Sequence, residues 1–417
     1  MSAFRGHSTA GPDKAAGTEP LSGLRVVELT GIGPAPFACM LLADLGAEVI
    51  RVDRADGDRP FREWHRVLDR GRRSVALDLK DPDGVEAVLR LTERCDVLVE
   101  GFRPGVAERL GIGPHHCHAR NPALVYARMT GWGQHGPLAR TPGHDINYIA
   151  LTGALDAIGT SGGPPVPPVN LLGDFAGGGM LLFGGVLAAV LEQRRTGRGR
   201  VVDAAVVDGT ALLMAMLLDM SASGHWPSAR GGNLLDGGAP FYCVYPCGDG
   251  RYVAVGALED RFFTSLVQGL GLDPSGLPDR WERANWQTLR SLFASRFARR
   301  TRDEWASVFA GTEACVTPVL NPAEAARHPH LRARGTFLRD GPALQPAAAP
   351  RYGDARPPAP VPPPVPGQHT REVLAESGWS DGEIERLLSS GTARSGSGSG
   401  SGSGSHDGVR RPTPSRP

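Results

Sequence analysis

Most of the signals by which a chain declares a compartment or a prosthetic group are missing from these 417 residues. The six cysteines (Cys39, Cys95, Cys117, Cys243, Cys247 and Cys315) show no CxxC spacing and lie mostly in apolar runs. That pattern reads as reduced core thiols in a cytoplasmic protein, not as a disulfide framework. Residues 1–20 have no apolar core, so no secretory signal is expected. The longest apolar run, "MLLFGGVLAAVL", is about a dozen residues, short of a membrane span and suited to a buried helix. A net charge of +1 leaves no clustered cationic excess for nucleic acid, although a few arginines can still serve a small acidic ligand. "GIGPAPF" (31–37) follows a strand-like run but is not GxGxxG and contains two prolines, which argues against a dinucleotide cofactor and hydride transfer. "HHCHAR" (115–120) has no second ligand group at fixed spacing, so it reads as a solvated loop and no metal is expected.

What is present is an ordinary globular composition, 41% hydrophobic and 21% charged, in a chain long enough for two cores. "LRVVEL", "EVIRVDR", "SVALDL", "DVLVEGF" and "NPALVYARMTGW" read as buried strands. Between them, "ACMLLADLGA" reads as a helix after a "GIGPAPF" turn, and "DPDGVEAVLRLTERC" as a helix capped by Asp81 or Asp83. This alternation predicts an α/β fold with a parallel, doubly wound sheet. The reading expects a disordered leader over 1–20 and a large domain over 21–225. A small α+β domain is expected over 226–335, opening on a hairpin with its turn at Gly248-Asp249-Gly250. Residues 336–393 should return to the large domain through a Pro-rich arm (342–367) and a terminal helix opened by Ser380 or Asp381. The Ser-Gly and basic stretch 394–417 should be disordered.

Several arginines sit near strand ends: Arg54 closes one strand, Arg72 and Arg73 precede another, and Arg103 follows "VEGF". Together they suit a polyanion in the crevice where α/β sheets bind ligands. Two titratable groups lie in sparsely charged settings, His144 of "GHDINY" and Asp174 of "LLGDFAGGGM". Asp174 reads as a helix N-cap, a position where free amides and the helix dipole can also stabilise an oxyanion.

Eight segments in this order, "LSGLRVVELTGIGPAPFACMLLADLGAEVIRVDR", "LDLK", "EGFRPGVAERLGIG", "RMTGWGQHGP", "GHDINYIALTGAL", "NLLGDFAGGGM", "VVDAAVVDG" and "LDGGAPFY", resemble the alpha-methylacyl-CoA racemase group of the class III CoA-transferase superfamily. The likeness runs from about 21 to 338. It implies a Rossmann-like CoA-binding large domain, a smaller domain and an interlocked homodimer. It also implies 1,1-proton transfer on an acyl-CoA thioester with no cofactor, CoA being part of the substrate. His144 and Asp174 fall on the two bases and Glu259 of "VGALEDRFF" on a glutamate that supports the histidine. CoA contacts fall on Arg54, Leu77, Asp78, Leu79, Lys80, Gly101, Phe102, Arg103, Arg109 and, in the "GHDINY" loop, Gly143, Asp145, Ile146, Asn147 and Tyr148. Apolar surroundings would raise the aspartic acid's pKa and lower the histidine's, bringing both toward neutrality. The alternative is CoA transfer between carboxylic acids with Asp174 as nucleophile, which needs no histidine base. A non-catalytic CoA-binding scaffold is a third reading. No nucleic-acid or membrane partner is expected.

Overall fold

The apolar runs become strands because each is buried on both faces, as a parallel sheet requires. The computed structural model describes residues 19–57, 66–227, 229–341, 343–353 and 359–396. In it β1 (Arg25–Leu29), β2 (Glu48–Arg54), β3 (Arg72–Leu77), β4 (Val97–Glu100), β5 (Val125–Thr130) and β6 (Val201–Ala205) pair in parallel in the spatial order 3-2-1-4-5-6. That order is doubly wound, reversing between β1 and β4. Alternate side chains feed two cores: Val27, Leu29, Val75 and Leu98 on one face, Val26, Val49, Val99 and Val125 on the other.

Helices cover both faces. α1 (Pro34–Asp44) begins inside "GIGPAPF", so that segment is the first turn of a helix and not only a connecting loop. Pro34 and Pro36 sit where helix amides have no intrahelical acceptor, and the missing N–H groups cost nothing there. α2 (Pro82–Thr92) is capped by Asp81, which accepts from the Asp83 amide at 2.9 Å. α3 (Val106–Arg109) is a single turn, and α4 (Pro114–Arg120) contains the expected "HHCHAR" loop. There Cys117 is buried with Sγ 3.3 Å from the Ile112 carbonyl, and His118 Nε2 lies 2.9 Å from the Leu124 carbonyl. These side chains diverge, and no metal-holding cluster exists among the described residues.

After α5 (Asp145–Leu151), a π-helix (Leu171–Met180) runs directly into α6 (Leu181–Thr196). This 26-residue stretch is long and apolar enough to cross a membrane. It exceeds the apolar run seen in the sequence because "GDFAGGG" is helical too. Leu182, Val186, Ala189 and Val190 pack it against the sheet. α7 (Val206–Leu213) and α8 (Ala215–Ala222) follow, and α8 has no buried residue.

A second, three-stranded antiparallel sheet joins β7 (Tyr242–Pro246), β8 (Tyr252–Gly256) and β9 (Val316–Pro318). With α9 (Asp260–Gly269), α10 (Trp286–Phe297) and α11 (Arg302–Val308) it encloses its own aromatic core, including Tyr245, Phe293, Phe297 and Trp305. Two short helices, α12 (Pro322–Ala325) and α13 (Pro329–Arg334), precede a hairpin of β10 (Phe337–Asp340) and β11 (Ala343–Pro346). β11 thus lies in the stretch expected as an extended arm. The chain then returns to the first sheet through α14 (Thr370–Glu376) and α15 (Asp381–Ser390), the latter capped by Ser380. It ends on β12 (Ala393–Arg394), antiparallel to β3 at the sheet edge. The tail expected from 394 therefore gives its first residue to the sheet. Its remainder from 397, and the leader over 1–18, lie outside the described residues.

Candidate functional site

At the carboxyl ends of the parallel strands, where an open α/β sheet takes its ligands, lies a cavity of about 610 Å³. Arg54, Leu77, Asp78, Leu79, Lys80 and Phe102 line it. Gly391, which the sequence did not point to, closes one side. Arg54 is held by Asp56, with Nε–Oδ1 at 3.1 Å and Nη2–Oδ2 at 2.6 Å. Gly101 and Arg103 flank Phe102 in the chain without lining the cavity, and Arg109 lies on α3 beside Gly105.

Arg72 and Arg73 are not in this crevice. Both open β3 and so lie at the opposite, amino end of the sheet. Arg72 is fully buried against Glu28 at 3.0 Å. Arg73 is tied at 2.8 Å to each of Glu48, Glu372 and Glu376. Their role is to hold β3 to its neighbours, not to meet a ligand.

The "GHDINY" loop folds over the π-helix. His144 opens α5, its backbone N–H donating to Asn147 Oδ1 at 3.0 Å, and its side chain is exposed. The expectation of an apolar setting for the histidine therefore does not hold within one chain. Tyr148 donates its hydroxyl hydrogen to the Gly143 carbonyl and packs edge-on to Trp132 at 4.7 Å. Ile146 is exposed. Asp145, expected as a CoA contact, instead turns inward: it is buried, and its Oδ1 accepts the Asp174 N–H at 2.6 Å.

Asp174 is not an N-cap. It is the fourth residue of the π-helix, whose N-cap position is Asn170. The residues after it continue the π-helix, so their amides do not open a helix, and the Asp174 amide itself is occupied by Asp145. Asn170 Nδ2 donates to Asp174 Oδ2 at 3.1 Å, a contact the sequence reading missed. On the other side the carboxylate abuts the N-terminus of α1: a Cβ placed on Gly33 would lie 3.2 Å from Oδ2. Insertion of a π-helix at such a point is common at functional sites.

The electrostatics single out Asp174. Burial is the largest influence and pushes its pKa up; Asp145 pushes the same way, while the Asn170 hydrogen bond and His144 oppose them. His144 is thus close enough for its charge to act on Asp174. Burial also raises Asp145, against the amides of Asp174 and Gly173. Tyr148 is raised by burial first and then by Asp174, with Arg103 opposing. One small region therefore gathers His144, Asp145, Tyr148, Asp174 and the charge of Arg103. Glu259 is elsewhere: it is the exposed N-cap residue of α9, and its charge bears on the Cys315 thiol. Among the described residues no hydrogen bond or ion pair joins it to His144.

Because the Asn170 contact lowers the Asp174 pKa, Asn170→Ala should raise it further. Any rate that needs the Asp174 carboxylate as base should then lose its acidic limb at a higher pH, and the rate that needs it as acid should persist to higher pH. Profiles of kcat/KM against pH for the wild type and Asn170→Ala measure the shift.

The family described as CoA-transferase family III matches residues 21–370. The chain belongs to CoA-transferase family III. Within that family it is 47% identical over 372 residues to an alpha-methylacyl-CoA racemase of Mus musculus, covering 88% of this chain and 96% of that protein. It is 29% identical over 395 residues to a succinyl-CoA:glutarate CoA-transferase of Homo sapiens, covering 89% and 90%. Among solved structures, a CAIB/BAIF family protein from Brucella suis superposes with a TM-score of 0.75 at 27% identity, over 86% of this chain and 99% of that one. Proteins named as racemase and as CoA-transferase are thus both among its relatives.

Proposed function

We propose that this family III protein racemises the α-carbon of 2-methylacyl-CoA thioesters by 1,1-proton transfer between Asp174 and His144, without a cofactor. The observation that carries the reading is the pairing itself: a half-buried carboxyl of raised pKa within the electrostatic reach of an exposed histidine. In one direction the Asp174 carboxylate takes the α-proton, leaving an enolate. The His144 imidazolium then gives its proton to the opposite face. Asp174 ends protonated and His144 neutral, and exchange with solvent resets both. The reverse direction swaps the roles. The greater likeness to a racemase than to a transferase supports the same choice.

CoA would occupy the 610 Å³ cavity, its pantetheine arm leading to Asp174. In this reading 21–225 and the returning 336–393 bind CoA, and 226–335 covers the reacting end. Two features support an interlocked homodimer. Glu259 of the partner subunit could support His144, which Glu259 does not meet within one chain. Leu212 (66% exposed), Met216 (65%) and Leu218 (56%) form an uncovered apolar surface on α7 and α8 for which a second copy is the occupant. Five buried, unpaired cysteines support a cytoplasmic setting.

A transferase would instead attack the thioester with the Asp174 carboxylate, releasing CoA thiolate and forming a mixed anhydride. Incubating the protein with acyl-CoA, a second carboxylic acid and hydroxylamine separates the two. We expect no hydroxamate on Asp174 and no CoA on the acceptor acid. Trapping at Asp174 with CoA transfer would replace the racemase reading with the transferase one.

A further inference from the structure

We propose that Arg394, carried by the terminal strand β12, is a phosphate contact for CoA at the mouth of the 610 Å³ cavity, an inference that rests on the CoA reading of that cavity. The strand is a wall of the site. Gly391 lines the cavity, and the next residues are fixed from both sides. The Thr392 carbonyl accepts the Asp78 N–H at 2.7 Å and Thr392 Oγ1 donates to Asp81 Oδ2 at 2.8 Å. The Arg394 carbonyl accepts from Thr370 Oγ1 at 2.7 Å, and the Gly396 amide donates to Gly367 at 2.9 Å. The backbone of Arg394 is therefore held at the end of β12.

Its side chain is exposed and reaches across to the turn that follows β2. Ala55 and Asp56 of that turn line the cavity, and Gly57 closes it with φ +75°. A Cβ on Gly57 would lie only 2.8 Å from Arg394 Nη1. Glycine is what lets the guanidinium rest there, since any other side chain would be strained and would push it off. Arg394 adds a cation at the mouth to Lys80, which lines the cavity itself. Arg54 is already engaged by Asp56 in a two-point pair. The Arg394 guanidinium makes no hydrogen bond or ion pair to a described residue. A planar donor fork held over a glycine at a cavity mouth is completed by an oxyanion, and a phosphate fits it best.

Titration calorimetry on the full-length protein, with CoA and with 3′-dephospho-CoA, tests this. Arg394→Ala should weaken CoA binding roughly tenfold, the lower end for a hydrogen bond to a charged group. Gly57→Ala should weaken it in the same direction without removing the charge. Screening by salt should shrink the Arg394→Ala effect, since an exposed ionic contact is lost from the native protein too. Dephospho-CoA affinity unchanged by Arg394→Ala assigns the ribose 3′-phosphate, and an equal loss for both ligands assigns the pyrophosphate. A chain ending at Gly396 should bind as the full chain does. Wild-type CoA affinity in Arg394→Ala, or a loss that salt does not reduce, overturns the inference. No binding of CoA to the unmutated protein would overturn it by a different route, because the reading of the cavity itself would then be wrong.

Discussion

Replacing Asp174 by Asn should cost about 10²–10⁴-fold in racemisation, the range for a general acid/base group, while leaving the fold intact. Asparagine keeps the shape that fits between Asn170 and the α1 N-terminus but cannot take the α-proton. His144→Ala should cost a similar factor, and its exposure means stability should not change. The two variants should differ in what survives. With His144 removed, Asp174 can still exchange the α-proton of the enantiomer it faces, so hydrogen exchange without inversion persists for one enantiomer. With Asp174 removed, the complementary enantiomer retains it. Following exchange and inversion separately for each enantiomer measures this. Equal loss of exchange from both enantiomers in both variants would mean that the two groups do not flank the carbon.

The second large effect lies at the other end of the sheet. Arg72→Met should destabilise the protein by about 3–5 kcal/mol, as expected when one partner of a buried pair is lost. Arg72 and Glu28 are both fully buried, on β3 and β1, and lie 3.0 Å apart. Arg72 also donates to the carbonyls of Leu68, Arg70 and Pro36. Removing it strands the Glu28 carboxylate inside the sheet, where Oε1 already has no hydrogen-bond partner among the described residues. The double variant Glu28→Met/Arg72→Met should recover much of the loss, because a well-packed apolar pair often equals or exceeds a buried ionic one. Urea denaturation of the two single variants and the double gives the coupling. A double variant as unstable as the sum of the singles would show that the two residues act independently.

The sequence exposed the sheet because a strand buried on both faces is mostly apolar. "LRVVEL" and "SVALDL" carry apolar cores around the few polar residues, such as Glu28 and Ser74, that find buried partners. Local caps were equally legible: Asp81, Ser380 and the Gly248–Gly250 turn need only residues a few positions away. Features set by distant packing were not. β12 is two residues long and pairs with a strand more than 300 residues earlier, so no periodicity marks it. The π-helix depends on buried Gly177–Gly179 meeting α1 and α7, which turned an expected N-cap into an interior residue. The misplacement of Arg72 and Arg73 has a simpler cause. Residues that precede a parallel strand lie at its amino end, opposite the ligand crevice. The "GHDINY" and "GDF" motifs disclosed His144 and Asp174, but not that Asp145 turns inward or that Asn170 supplies a hydrogen bond. Those depend on how α5 crosses the π-helix.

The central claim is proton transfer at a thioester α-carbon, and deuterium reports it directly. A single enantiomer of a 2-methylacyl-CoA incubated with the protein in D2O, with no acceptor acid present, is followed by mass spectrometry and chiral analysis. The account predicts one deuterium at the α-carbon, incorporated as the two enantiomers approach equal amounts. An α-carbon that keeps its hydrogen and its configuration would contradict it.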